Sequence, residues 1–523
     1  MAKAEQSAPS ATNGHEVTKW GPAWIALAVL VLLAVASAMR WSTPGNDAIL
    51  ATDEADYVRA FSYGAAANYL GTRERSGFAF VADVWTEYRR TGWARPFQRD
   101  WDAGDAAGLR HYHPPFSMYP LGILAAAGER DERTLRLVPG VTGVLATLAA
   151  AWLAGVLLLG VRADVRWLGA LAAGMLAATS EYLVLSSATL SFHAAFSLLS
   201  TLTLGALVAA VQTGRRTWWL GACALLGLTT LTVPYWALLL PGVLFVWWWG
   251  LPVEYSRLRA AATGLAAAAL AMFVAWPPAL LQLGLVKPVL MYAGIIVRPL
   301  GSRSEPGGWM LGLAEAHPAL LLLGVAGLAS LPSLRRPQVR ALAPVVLFAA
   351  GFFVLNLRVS HMKALYASDV VAPLAALAAA LAAFAILRLP CGFARPAALL
   401  LPIVAVLQAG PALAADRSDQ GWRDAIASLN RELEGDRVLV TPRAAGAMVL
   451  YYVPAADVVL DSNHPDDVPA LRDQLADGRI DVVLRWGSRV ERRGAASPVV
   501  SSRDPDGRVV VAGTRVSWWR VGR

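Results

Sequence analysis

Charge is scarce in this chain. Asp, Glu, Lys and Arg make up 16% of its 523 residues and hydrophobic residues 56%, where soluble proteins average roughly 25% and 45–50%. With a mean hydropathy of +0.47, an ordinary soluble enzyme is excluded. Cysteine is scarcer still. Cys223 lies inside an apolar stretch and Cys391 in a short Arg-flanked loop, which excludes a disulfide framework and a cysteine metal site. No repeat of fixed period runs through the chain, which excludes a solenoid. Residues 1–19 carry no cleavage signal, so the apolar run Trp20–Met39 reads as a retained anchor.

What the chain does have is long apolar runs. A bilayer core about 30 Å thick needs about 20 apolar residues per helical span. Beyond the first anchor, such runs lie near 135–160, 167–184, 192–212, 218–233, 235–250, 260–280, 317–332, 341–355, 368–388 and 396–413. The run Pro114–Gly128 is different: its 15 residues reach only about 23 Å as a helix, and Pro114, Pro115 and Pro120 interrupt it. It reads as a juxtamembrane or re-entrant helix. About eleven spans remain. With a cytoplasmic N-terminus, five loops then fall on the cytoplasmic side, carrying Arg162 and Arg166, Arg215 and Arg216, Arg257 and Arg259, Arg335, Arg336 and Arg340, and Arg388 and Arg395. This is the positive-inside pattern of a multi-pass cytoplasmic (inner) membrane protein. It also accounts for the net charge of +9 without a nucleic-acid partner.

The expected organisation is a cytoplasmic tail at 1–19, a transmembrane domain at 20–413 whose first outer loop occupies 41–133, and an extracytoplasmic domain at 414–523. In that last part Arg437–Thr441 and Ile480–Leu484 read as strands, and Trp422–Leu433 and Pro469–Leu475 as helices, so a small α/β domain is expected. The fold class is a polytopic α-helical membrane protein with a C-terminal α/β domain. Trp218, Trp219 and Trp247 to Trp249 stand at span ends beside arginines and read as an aromatic belt.

Chemistry-bearing residues gather in the outer loops. Asp53 and Glu54 follow the first span by about a dozen residues. Such a pair suits a general base with a supporting acid or metal ligand; equally, Thr52 or Asp53 can cap a helix whose first turn welcomes acids. Oxygen ligands of this kind fit Mg²⁺ or Mn²⁺, and equally fit no metal. His111 and His113 precede Pro114 and lack a clear third donor for zinc. Arg59, Arg95, Arg99, Arg110, Arg358 and Lys363 are cations of the outer loops, suited to a phosphate or to lipid headgroups. His193 is an ionisable residue at a span's edge, functional or structural.

The Asp53-Glu54 pair after the first span, the long loop closing in Pro114-Pro115, Arg136 at the head of the next span and the outer C-terminal domain together resemble the GT-C glycosyltransferases. The resemblance is to the branch of protein O-mannosyltransferases and aminoarabinose transferases. It implies a polyprenyl-phosphate sugar as donor, an envelope lipid, glycan or protein as acceptor, and transfer with inversion on the outer face. It further implies Asp53 as base, Glu54 as positioning group for the acceptor or a cation, and donor contacts from the segment Arg358 to Tyr366. The chain departs from the branch in two places: no acid stands in the loop Tyr182–His193, and His113 replaces the Lys before Pro114. The rival expectations are a transporter or flippase, which would place ionisable groups near the bilayer midplane, and a catalytically silent scaffold.

Overall fold

The computed structural model describes residues 22–41, 119–128, 131–276, 308–356, 364–409 and 421–521, apart from 129–130 and short internal stretches at 233, 253, 443–444, 462–466, 488–494 and 513. Of the first loop it describes 54, 55, 58, 86 and 89.

The spans follow the apolar runs. They are α1 (Pro22–Trp41), α4 (Leu137–Leu157), α5 (Ala163–Ala178), α7 (His193–Thr213), α8 (Arg216–Thr230), a pass that begins as a 3-10 turn at Pro234–Leu239 and continues through α9 (Leu240–Phe245), α10 (Arg257–Ala275), α12 (Pro318–Leu328), α13 (Arg336–Asn356), α14 (Ala364–Ile386) and α15 (Cys391–Val406). Five helices among the described residues are long and apolar enough to cross a bilayer alone, and two bent pairs raise this to seven. Three shorter apolar helices, Ile25–Trp41, Tyr235–Gly250 and Gly392–Val406, add to these.

Short helices join them at one end: α2 (Tyr119–Ala126), α3 (Glu132–Leu135), α6 (Glu181–Ser187) and α11 (Gly308–Ala316). Within the run Pro114–Gly128 the described part holds α2, whose eight residues span about 12 Å. The straight span expected at 167–184 is not formed. It breaks at Thr179-Ser180, and α6 leaves α5 at 60°, because Ser180 caps α6 by accepting from Leu183 N–H at 3.2 Å. A sharper turn of 101° separates α11 from α12, where Pro318 opens the second helix.

Helices α7 and α14 form the centre of the bundle, with 78% of each apolar window buried, whereas α10 has 11% buried and faces outward. Close approach depends on small residues. A Cβ on Gly227 of α8 would stand 2.4 Å from Ala268 O of α10, and one on Gly327 of α12 would meet Leu381 and Ala382 of α14 at 2.5–2.9 Å.

The alternation of helix direction sorts the polar residues. At one end lie the loop arginines: Arg166 donates to Gly155 O at 2.8 Å, Arg257 to Trp247 O at 2.9 Å, Arg388 to Ser333 Oγ at 2.7 Å, and Arg395 meets Asp164 at 3.4 Å. Of the tryptophans at this end, Trp218, Trp248 and Trp249 are exposed, whereas Trp219 is buried and donates to Ala260 O at 2.9 Å and Trp247 donates to Arg257 O at 2.8 Å. The opposite end carries α2, α3, α6 and the C-terminal domain.

That domain is α/β. It contains α16 (Trp422–Glu432), β1 (Arg437–Thr441), α17 (Gly446–Tyr452), β2 (Asp457–Leu460), α18 (Asp467–Ala476), β3 (Val482–Trp486), α19 (Ser497–Ser502), β4 (Gly507–Val511) and β5 (Thr514–Arg520). The sheet order is β2-β1-β3-β5-β4, with β2, β1 and β3 parallel and β5 antiparallel to both β3 and β4. Alternation splits its core: Val438, Val440 and Leu484 belong with Trp422 and Leu429, and Leu439, Val483 and Trp519 with Leu471 and Leu475. Buried on both faces, β1 and β3 read as continuous apolar runs.

Candidate active site

Glu54 lies at the end of the bundle away from the loop arginines. Its carboxylate is 3.2 Å from Arg136 Nη2 at Oε2 and accepts the Leu190 N–H at Oε1, 2.7 Å away. Both side chains are buried, and Ala55 and Val58 beside them are buried as well. One carboxylate thereby joins three stretches: the first loop, the head of α4 and the turn between α6 and α7. Arg136 can serve there because it closes α3, its N–H returning to Glu132 O at 3.1 Å, and then opens α4. Among the described residues no group of three His, Cys, Asp or Glu side chains suited to a metal occurs; Asp53, the other half of the expected pair, lies outside them.

Three residues beyond Leu190 comes His193, whose ring Nδ1 stands 3.0 and 3.1 Å from the two oxygens of Asp369. Asp369 is fully buried in α14, five residues from its start. A buried acid in an apolar helix is retained only with a partner, and the imidazole is that partner. Tyr366 packs edge-on against the ring at 4.9 Å and in turn against Tyr235 at 6.4 Å; Phe192 covers the other side at 4.3 Å.

Two further buried polar contacts shape this end. Ser180 Oγ is 2.7 Å from His317 Nε2, with Tyr182 edge-on to the same ring. Arg40, at the end of α1, donates to Ser187 Oγ at 3.1 Å, Thr147 Oγ1 at 3.2 Å and Ala36 O at 3.0 Å. From His317 an apolar cavity of about 370 Å³ extends between α11, α12, α13 and α14, lined by Leu313, Leu320, Phe353 and Leu377. Its rim residues Leu321, Val325 and Leu328 are exposed on the bundle surface. The C-terminal domain closes on the same end through Arg423, whose guanidinium is 3.0 Å from Glu132 of α3.

Of the residues singled out from sequence, Glu54, Arg136, His193 and Tyr366 are brought to one end of the bundle. Asp53, Arg59, Arg95, Arg99, Arg110, His111, His113, Arg358 and Lys363 lie outside the described residues. Sequence reading missed Asp369, His317 and Ser180. For Asp369 the signal was present: a lone acid within the apolar helix Ala364–Ile386.

No family model matches the chain, and no curated protein matches it by sequence. Solved structures do. The archaeal oligosaccharyltransferase AglB from Archaeoglobus fulgidus, in complex with an inhibitory peptide and a dolichol-phosphate, is 14% identical with a TM-score of 0.54, over 88% of this chain and 69% of its own. ArnT from Cupriavidus metallidurans in the apo state is 14% identical with a TM-score of 0.54, over 95% of this chain and 98% of its own. The same protein bound to undecaprenyl phosphate matches over the same spans at 13% identity. A further oligosaccharyltransferase structure from A. fulgidus, with a TM-score of 0.50, holds Zn and sulfate. Like these membrane proteins, the chain has the GT-C fold.

Proposed function

We propose that this protein is a membrane glycosyltransferase that moves a sugar from a polyprenyl-phosphate donor to an acceptor of the cell envelope, on the outer face of the cytoplasmic membrane. The observation that carries the reading is the clamp of Glu54 by Arg136 and Leu190 N–H. It fixes the residue directly after Asp53 at the end of the bundle opposite the loop arginines, within a fold shared with proteins bound to dolichol-phosphate and undecaprenyl phosphate. The arginine-bearing end is then cytoplasmic by the positive-inside rule, and the C-terminal domain lies outside, where it helps to bind the acceptor.

In this reading Asp53 accepts the proton of the acceptor hydroxyl while the acceptor oxygen attacks the sugar's C1 from the face opposite the phosphate. The C1–O bond to phosphate breaks, and both electrons leave with polyprenyl phosphate. Phosphate departs readily, so one base and nearby cations suffice, unlike the carboxylate pair of glycosidases. Glu54, held by Arg136 and the Leu190 N–H, positions the loop. Arg59, Arg110, His111, His113, Arg358, Lys363 and Tyr366 are the proposed donor contacts, and the apolar cavity below His317 takes part of the isoprenoid chain.

The test is transfer from a panel of radiolabelled polyprenyl-phosphate sugars by the purified protein in lipid. Turnover that falls by about 10² or more in Asp53→Asn, with donor binding retained, supports the reading. Absence of turnover with every donor in the wild type moves the weight to a transporter, for which the buried ionisable pair His193–Asp369 is the relevant observation.

A further inference from the structure

At the arginine-bearing end of the bundle, α9 and α13 part from each other. They meet at Gly242 and Pro344, where a Cβ on the glycine would stand 3.3 Å from Pro344 Cα and O. Beyond this contact the chain after α9 widens into a π turn, Val246–Gly250, and a cavity of about 440 Å³ opens between it and α13. One wall is a single face of α13. Arg336, Val339, Arg340 and Ala343 line it at the i, i+3, i+4, i+7 spacing of neighbours on a helix, over about 10 Å of its axis. The other wall is aromatic, Phe245 and Trp249, with ring centroids 5.6 Å apart.

Charge and apolar surface are sorted along this wedge. Ala343 adjoins the Gly242–Pro344 contact at its inner end, and Arg336 stands at its outer end. Both arginines are exposed, and neither side chain has a hydrogen bond or ion pair among the described residues. Elsewhere at this end, Arg166, Arg257 and Arg388 donate to protein oxygens, and Arg162 and Arg395 meet Asp164. No acid lines the cavity, so its two positive charges are left uncompensated by its walls.

We infer that this cavity binds an anionic glycerophospholipid of the bilayer, with Arg336 and Arg340 on its phosphate and Phe245, Val339 and Ala343 against the start of an acyl chain. Guanidinium groups donate in pairs to phosphate oxygens, and basic hollows between spans at the cytoplasmic side suit anionic headgroups. Trp249, exposed at the rim, offers an apolar ring and one N–H donor, the combination that suits the level of the glycerol backbone. A zwitterionic headgroup would bring an ammonium for which the lining holds no carboxylate, and a free phosphate would leave the apolar inner end uncovered. By the positive-inside rule the leaflet is the cytoplasmic one, opposite the end where Glu54 is clamped. The inference therefore stands apart from the transfer reaction.

The full-length protein in detergent is titrated with phosphatidylglycerol and phosphatidylcholine of identical acyl chains, and with glycerol 3-phosphate, and the bound species are counted by native mass spectrometry. Wild type is expected to hold phosphatidylglycerol about tenfold or more tightly than phosphatidylcholine, and Arg336→Gln/Arg340→Gln to lose that preference. The control is Arg215→Gln/Arg216→Gln. It removes the same charge at the same end from side chains that are also exposed and without partners among the described residues, but that do not line this cavity, and it should keep the preference. Ala343→Phe leaves both arginines in place and fills the inner end, so it too should weaken phosphatidylglycerol. Equal loss in the two arginine doubles would mean a general charge effect and overturn the site, as would a wild type without preference. Glycerol 3-phosphate competing at the lipid's own concentration overturns the lipid assignment. A dimer that disappears only in Arg336→Gln/Arg340→Gln would make a second copy the occupant and overturn it as well.

Discussion

Glu54 and Arg136, 82 positions apart, form an ion pair of 3.2 Å with side chains only 6% and 3% exposed. Removing one partner of a buried pair leaves the other charge stranded, at a cost of about 3–5 kcal/mol, whereas removing both is far less damaging. Arg136→Met is therefore expected to unfold at markedly lower temperature than Glu54→Gln/Arg136→Met. The measurement is a double-mutant cycle by thermal denaturation in detergent. Simple additivity of the single losses would mean that the pair does not hold the loop.

The junction with the C-terminal domain should respond to acid. Asp131 accepts from Thr134 N–H at 2.8 Å and Oγ1–H at 2.9 Å, capping the helix that carries Glu132 to Arg423. Partial burial raises its pKa, but the Thr134 bonds and the charges of Arg423 and Arg133 outweigh this and leave the carboxyl below its usual range. A folded pKa below the unfolded one gives stability that is present above the ordinary carboxylate value and lost as pH falls through the lower folded value. Wild type should thus exceed Asp131→Asn in thermal midpoint at neutral pH, with the gap closing toward the acid end of the carboxylate range. A gap that stays constant with pH would count against the cap.

Ser180 has two tasks, capping α6 and pairing with His317. Ser180→Ala loses the cap, about 0.5–2 kcal/mol, and leaves a buried imidazole nitrogen unpaired, about 1–3 kcal/mol. Ser180→Thr keeps both oxygen contacts. Guanidinium or thermal unfolding should rank Ser, Thr and Ala in that order; an alanine variant as stable as wild type would remove the contact from the account.

Gly227→Ala tests the closest helix approach in the bundle's outer half. A Cβ 2.4 Å from Ala268 O forces α8 and α10 apart, with an expected loss of about 1–3 kcal/mol. Gly221 on the same helix has no atom within 4 Å of its Cβ position, so Gly221→Ala is the control and should be neutral or slightly stabilising.

The spans and the charge asymmetry were legible because each is a local property: about 20 apolar residues mark a crossing and arginines mark its end. Strand β1 was read to the residue, its apolar run bounded by Arg437 and Thr441. The break at Thr179-Ser180 carried a signal that hydropathy hides, a Ser followed by Glu181 in the first turn of a new helix. His193–Asp369 could not be read from sequence, since 176 positions separate the partners and only the packing of α7 on α14 brings them together. Glu54 was legible as an acid beyond the first span, but its partners Arg136 and Leu190 were not, since they stand 82 and 136 positions away.

The ends of the helices hold a wider consequence. Arg136, Ser180, His193 and His317 all occupy first turns or caps, and Asp369 is in the second turn of its helix. The apolar bodies behind them set the spacing of those ends, so an exchange of side chain within one cap alters the chemistry of that end while the membrane-embedded framework stays constant.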